Sequence, residues 1–193
     1  MEVSMQANKA KNNSVHQYKF ALYLGIAGLV MMFAALSSAY MVRQGAGNWL
    51  EFRLPNMFYV STVVILLSSV SLRYCLTSFK NGKKTAYISS LLITCVLGVA
   101  FLFTQYAGWM EMYNSGIDLK GNPAGSFVYV LTFLHAFHVL GGIAVLGVAL
   151  YHCLTLSFKV SKQRILRLEL TSIYWHFVDI LWIYLLLFFI LQR

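Results

Sequence analysis

The side chains with the most potential for chemistry lie near the C-terminal end of the chain. His176 and Asp179 stand three residues apart in the sequence YWHFVD, so both project from one face of a helix. They lie in an apolar run, residues 170–191, which is long enough to cross a bilayer, because about 20 helical residues suffice. Ionisable groups at membrane depth are costly and usually face protein or water. We therefore expect a neighbouring helix to cover this polar stripe.

Three further polar side chains could join this pair. Glu169 lies seven residues before His176, two helical turns back, and His135 and His138 share a face of the preceding apolar run. Two opposed imidazoles could hold a haem, and intramembrane carboxylates could be stations of a proton path. We favour a structural role, because i,i+3 histidines on one helix do not by themselves hold a haem, and a relay needs more carboxylates.

The sequence therefore predicts a hydrogen-bonded polar network between the fourth and fifth helices. Its members are His135, His138, Glu169, His176 and Asp179. An interhelical hydrogen bond of this kind satisfies polar groups that lipid cannot satisfy. We predict no catalytic, cofactor-binding or metal-binding residue in this chain.

The composition indicates a polytopic membrane protein. Hydrophobic residues make up 59% of the chain and charged residues only 11%, a proportion that soluble domains of this length rarely show. The net charge of +9 does not indicate a nucleic-acid partner, because the basic residues flank apolar runs. The cysteines are odd in number and lack ligand spacing, so we predict small buried side chains and neither a disulfide nor zinc. They are Cys75, Cys95 and Cys153.

Five apolar runs predict an all-α bundle of five transmembrane helices. Residues 1–19 form a polar N-terminal tail, and residues 20–193 form one transmembrane domain with short connections between antiparallel neighbours. The predicted spans are about 20–42, 57–79, 85–107, 126–156 and 169–191. Small residues allow close helix approach, and in the first and fourth spans these include Gly25, Gly28, Gly141, Gly142 and Gly147.

The distribution of basic residues predicts the orientation. One side of the membrane would carry Lys9, Lys11, Lys19, Arg73, Lys80, Lys83, Lys84, Lys159, Lys162, Arg164 and Arg167. The other side would carry Arg43, Arg53, Lys120 and Arg193. Since basic residues concentrate on the cytoplasmic side, or its organellar equivalent, we expect the N-terminus inside and the C-terminus outside.

Several motifs together resemble subunit III of the haem–copper cytochrome oxidases. The sequence YWHFVD at residues 174–179, followed by Trp182, resembles the last helix of that family. The sequence HAFHVLGG at residues 135–142 resembles its paired histidines before valine and glycine. Weaker matches are LPN at 54–56 with LLSS at 66–69, and the segment 98–105 with Trp109. The order and separation of these matches make the combination specific.

The resemblance implies an accessory subunit of a respiratory terminal oxidase, with cytochrome c oxidase favoured. In that family subunit III carries no redox centre and contacts the catalytic subunit I, beside subunit II and other subunits of the complex. It supports assembly, phospholipid binding and proton uptake during oxygen reduction. The resemblance thus implies no cofactor in this chain, haems and copper in partner subunits, bound phospholipid and no nucleic acid.

Two departures from the family pattern affect these expectations. The long family form has seven helices, and this chain matches the last five, as shorter bacterial members do, which predicts a bacterial cytoplasmic membrane. Many members carry a glutamate in the helix corresponding to residues 20–42, where this chain has no carboxylate. The alternatives are subunit III of a quinol oxidase or of a nitric-oxide-reductase relative. An independent haem-binding membrane protein using His135, His138 and His176 is a further alternative.

Overall fold

Five long helices make up the chain. The computed structural model describes residues 2–119, 121–155 and 160–192, with side chains described from residue 17 onward. The helices are α1 (Glu2–Gly45), α2 (Asn56–Lys80), α3 (Lys84–Asn114), α4 (Pro123–Thr155) and α5 (Lys162–Leu191). Each is long and apolar enough to cross a membrane, in α1 from Gln17 onward. The described residues contain no strand, so the predicted all-α class with five spans is confirmed.

The helices are longer than the apolar runs. The polar tail predicted for residues 1–19 is helical from Glu2 and continuous with α1. Helix α3 continues to Asn114 and α5 begins at Lys162, because backbone hydrogen bonding extends beyond the apolar stretch into the polar flanks. Predictions that fall on Lys120, Leu156, Lys159 and Arg193 lie outside the described residues.

Local sequence features set the helix ends. Ser161 precedes α5, and its hydroxyl accepts a hydrogen bond from the backbone N–H of Arg164, as an N-cap serine does. Helix α4 begins at Pro123, where the missing N–H costs nothing. Helix α2 ends in a tight turn to α3 in which Gly82 has a φ of +71°, a conformation that glycine adopts without strain.

The packing order differs from a simple ring of sequential neighbours. Helix α2 lies along α3, α3 along α4, and α5 packs between α2 and α4. Among the described residues, α1 contacts only α4 and α5. We call the end of the bundle at which α2 ends and α5 begins the basic end, because Lys80, Lys84 and Arg164 lie there.

The core is built around two tryptophans of α5. Trp182 meets Phe58 and Phe101 edge to face, with ring centroids 5.6 and 5.4 Å apart. Trp175 lies against two glycines: a Cβ atom on Gly98 would come 2.9 Å from its ring, and one on Gly142 would come 3.0 Å from it. Both tryptophans are fully buried, so the glycines create the space that the indole of Trp175 fills.

Of the glycines singled out from the sequence, Gly142 alone makes such a contact among the described residues. A Cβ on Gly25, Gly28, Gly141 or Gly147 would meet nothing within 4 Å. The sequence could not distinguish them, because a glycine lining a helix contact and a glycine facing lipid look alike.

The two adjacent glycines of α4 provide a matched test of the packing. Gly142→Val should lower the free energy of unfolding by about 1–3 kcal/mol, because the added methyls collide with Trp175 in a full core. Gly141→Val, with the same change on an open face, is the control and should stay close to the parent protein. Thermal denaturation in detergent, followed by the loss of the monodisperse peak, measures both. Equal destabilisation by the two changes would contradict this packing.

Candidate functional site

The polar stripe of α5 faces α2. Nδ1 of His176 and Oγ of Ser69 share a hydrogen bond of 2.6 Å across the two helices. One turn further along α5, Oδ2 of Asp179 lies 3.8 Å from the same nitrogen. Asp179 is buried, and neither carboxylate oxygen has a hydrogen-bond partner within the described chain. A buried carboxyl group without hydrogen bonds is costly, so the proximity of His176 is its main compensation here.

Both buried indoles of α5 donate to hydroxyl groups of α2. Nε1 of Trp175 donates to Oγ of Ser68 at 3.0 Å, and Nε1 of Trp182 donates to Oγ1 of Thr62 at 2.9 Å. The contact between Ser69 and His176 adds a further side-chain hydrogen bond between these two helices. Trp175 and Trp182 are seven residues apart, so they repeat along one helix face.

Two more hydrogen bonds of this type link α3 to its neighbours. The side-chain amide of Gln105 donates to Oγ of Ser61 at 2.9 Å, and both groups are buried. Nε1 of Trp109 donates to Oγ1 of Thr132 at 2.9 Å, joining α3 to α4. Interhelical hydrogen bonds stabilise a bundle in lipid, where the hydrophobic effect does not drive helices together.

The paired histidines of α4 have other surroundings. His135 is fully buried, with its ring 5.7 Å from that of Phe101 and 5.2 Å from that of Trp182. Neither of its nitrogens has a hydrogen-bond partner among the described residues. Nδ1 of His138 lies 2.6 Å from the carbonyl oxygen of Leu134, one turn back on its own helix. The backbone oxygen of His138 accepts a hydrogen bond from the hydroxyl of Tyr174 at 3.1 Å.

Glu169 lies at the basic end of the bundle. One carboxylate oxygen is 2.8 Å from Nζ of Lys80, and the other is 4.0 Å from Nζ of Lys19. The carboxylate therefore connects α5 with α2 and with α1. Exposed ion pairs contribute little individually, so the effect of this one is mainly to fix the ends of three helices relative to one another.

The structure thus brings together two of the five residues expected in one network. His176 and Asp179 are neighbours, whereas Glu169 pairs with lysines. In the described part of the chain, the imidazole rings of His135 and His138 make no hydrogen bond with α5 side chains. The partner helix of the stripe is α2 instead of α4, because α2 presents hydroxyl groups where α5 carries its indoles and imidazole.

The signal for this contact was present in the sequence. Helix α2 carries Ser61 and Thr62, and seven residues later Ser68 and Ser69. Seven residues are close to two helical turns, so these hydroxyls repeat on one face with the same period as the tryptophans of α5. Matching the two periods would have identified α2 as the partner helix.

The surroundings of the histidines do not resemble a metal or haem site in the described part of the chain. Among the described residues no group of three or more His, Cys, Asp or Glu side chains is placed to hold a metal ion. The rings of Phe101 and Trp182 lie close beside His135, which leaves no room for a macrocycle there. The three cysteines are free thiols.

Comparison with known proteins assigns the family. The model of the family described as cytochrome c oxidase subunit III matches residues 48–192, which include all of α2 to α5. The chain belongs to the cytochrome c oxidase subunit III family. The hydroxyl–indole contacts between α2 and α5 fall inside the matched region, whereas α1 precedes it.

Individual relatives carry the same description. The chain is 35% identical over 126 residues to cytochrome c oxidase subunit 3 of Pisaster ochraceus, covering 65% of this chain and 46% of that protein. It is 33% identical over 134 residues to the protein of the same name from Myxine glutinosa, covering 69% and 48%. With that of Yarrowia lipolytica it shares 28% over 130 residues, covering 67% and 47%. The chain spans about half the length of these relatives. Five membrane-crossing helices and subunit III membership together identify an integral membrane protein.

An isosteric change in α2 tests the role of the indole contacts. Thr62→Val should lower the free energy of unfolding by about 1–2 kcal/mol, because it leaves the indole N–H of Trp182 without an acceptor in a buried site. The control is Thr77→Val on the same helix, since that exposed hydroxyl bonds only its own backbone at Arg73. Unfolding by titration with sodium dodecyl sulfate measures the difference. If both variants unfold at the same detergent fraction, the indole contact does not stabilise the bundle.

Proposed function

We propose that this chain is the accessory subunit III of a respiratory haem–copper terminal oxidase, with cytochrome c oxidase as the specific form. The observation that carries the proposal is the family match across α2 to α5. In this proposal the chain binds catalytic subunit I directly, beside subunit II and other subunits of the complex. The haems and copper that reduce oxygen belong to those partners. This chain supports assembly, binds phospholipid and supports proton uptake, without a redox centre of its own.

The contacts of α5 support an accessory role. The side chains with the most chemical potential, His176 and Asp179, lie against Ser69 and against each other. Trp175 and Trp182, which frame them, donate to the same helix α2. A group held in this way orients helices, and helix orientation determines the shape of the surface that a partner subunit meets.

The lipid-facing character of the remaining surface agrees with a membrane complex. Large apolar side chains are exposed along every helix, including Met31 on α1, Val70 on α2, Phe103 on α3 and Phe137 on α4. Such surfaces suit acyl chains or another membrane subunit. The bacterial cytoplasmic membrane expected from the sequence stays a prediction, because the relatives named above come from animals and a yeast.

A cavity at the basic end supports the phospholipid part of the proposal. It has a volume of about 380 Å³ and lies between α4 and α5, with contributions from α2 and α3. Its apolar lining includes Val145, Val148 and Leu168, and its cationic groups are Arg164 and Arg167. Basic pockets between transmembrane helices bind anionic lipid headgroups, while an apolar wall accepts the acyl chain. We therefore assign this cavity to an anionic phospholipid.

Purification of the tagged chain in mild detergent tests the subunit assignment. We expect the chain to co-purify with subunits that carry haem and copper, and to show no haem absorption after separation from them. Haem retained by the separated chain, and lost in His176→Ala, would instead establish an independent haem protein. Recovery of the chain with no haem-bearing partner under several mild detergents would remove the subunit III proposal.

An arginine substitution tests the lipid assignment. Arg167→Gln should reduce phosphatidylglycerol retained by the purified chain about three- to tenfold, because it removes one charge facing the phosphate. Arg73→Gln is the control: Arg73 is exposed near the same end but does not line the cavity. Native mass spectrometry of protein in mixed micelles counts the bound lipid. Equal retention by both variants would reject this cavity as the site.

A further inference from the structure

Two fully buried polar side chains, Gln105 on α3 and His135 on α4, have atoms that no other described group satisfies. In Gln105 this atom is Oε1, since the amide nitrogen donates to Oγ of Ser61 at 2.9 Å. In His135 both ring nitrogens lack a hydrogen-bond partner among the described residues. Buried polar groups in native proteins nearly always have a partner, which is either another protein group or an ordered water.

The two side chains lie at the same level of the bundle. The indole N–H of Trp109 donates to Oγ1 of Thr132 at 2.9 Å, which fixes the alignment of α3 along α4. A short connection joins these helices, so they run antiparallel. Gln105 lies four residues before Trp109, and His135 lies three residues after Thr132. Each is therefore about one helical turn from that hydrogen bond, in the same direction along the bundle.

Gln105 also lies on the side of α3 that faces His135. Phe101, one turn before Gln105, has its ring 5.7 Å from that of His135, and Trp109, one turn after it, bonds α4. Residues four apart on a helix differ by about 40° around its axis, so Gln105 lies between these two contacts with α4. The carboxamide and the imidazole therefore share one region of the core, which the rings of Phe101 and Trp182 border.

We propose that one buried water molecule joins Oε1 of Gln105 to the imidazole of His135. The amide oxygen only accepts hydrogen bonds, so the water donates to it. A neutral imidazole carries one N–H donor, from which the oxygen of the same water accepts. A buried water needs two to four polar partners and a space of about 10–15 Å³, so aromatic walls that exclude a macrocycle leave it enough room.

The water extends a path of hydrogen bonds across three helices. On α2, the hydroxyl of Ser61 donates to the backbone oxygen of Phe58 at 2.8 Å and accepts from the amide of Gln105 on α3. Through the water, the path reaches His135 on α4. A bridging water is nearly as favourable in enthalpy as a direct hydrogen bond, so it helps to hold α3 against α4. This inference rests on the core of the bundle and is independent of the assignment to an oxidase.

Solid-state NMR of the full-length chain in bilayers, with nitrogen-15 in its histidines, tests the proposal. Magnetisation from water should reach the imidazole N–H of His135, whose signal is assigned by its loss in His135→Phe. Gln105→Leu should abolish this transfer, because a water with one remaining partner is not held in a buried site. The matched control is Gln44→Leu, since the amide of Gln44 donates to the backbone oxygen of Gln192, and this variant should keep the transfer.

The parent chain alone is able to overturn the proposal, whether or not the variants fold. Absence of water transfer to His135 in the parent chain rejects the water. A contact between the His135 N–H and the amide carbon of Gln105 would then identify a direct hydrogen bond, and an upfield N–H proton would identify a contact with the ring of Trp182. Transfer that persists in Gln105→Leu also rejects the bridge. Transfer in the parent and in Gln44→Leu, its loss in Gln105→Leu and an unchanged signal of His138 support it.

Discussion

The bundle depends on the two indole groups that α5 buries. An indole N–H cannot be left unpaired in a region that water does not reach, so each tryptophan must find an acceptor on a neighbouring helix. Ser68 and Thr62 provide those acceptors on α2. Trp182 also touches the rings of Phe101 on α3 and His135 on α4, so one side chain fixes three helices around α5. The position of the polar stripe follows from this arrangement, because His176 then faces α2 as well.

Close packing around Trp175 stabilises the bundle in addition to the interhelical hydrogen bonds. Helices in lipid gain little by excluding solvent from one another, so close packing must supply much of their association. The ring of Trp175 occupies space that Gly98 and Gly142 leave open on α3 and α4. The same residue therefore binds one helix through its polar atom and two others through its faces. This contact specifies how the helices align along their axes, because only one alignment brings the indole of Trp175 against the hydroxyl of Ser68 and both glycines. A row of leucines would pack in several alignments.

The sequence correctly predicted the all-α class, the number of helices and the family, but it did not predict which helices pack against each other. Apolar length alone identifies a membrane-crossing helix, because backbone groups in lipid have no other way to be satisfied. The spacing of His176 and Asp179 correctly placed both on one face. It could not say which helix lies opposite: the nearby histidines suggested α4, whereas the imidazole of His176 shares its hydrogen bond with Ser69 of α2. His135 proved to be packed among aromatic rings, a surrounding that its own sequence neighbourhood does not indicate. The ion-pair partners of Glu169 could not be predicted either, because Lys19 and Lys80 are distant from it in sequence.

The sparse contacts of α1 have a consequence for biogenesis. This helix precedes α2 and α3 in the chain, yet its helix contacts within the described residues are with α4 and α5, which are synthesised after them. Helices α2 and α3 can pair as soon as their short turn forms, since contacts close in sequence form early. Helix α1 must then remain in the bilayer without its partner helices until α4 and α5 have been synthesised. The side-chain amide of Gln44 donates a hydrogen bond to the backbone oxygen of Gln192, just after α5, and Lys19 lies near Glu169 at the other end of α5. The docking of α5 therefore secures both ends of α1 at once.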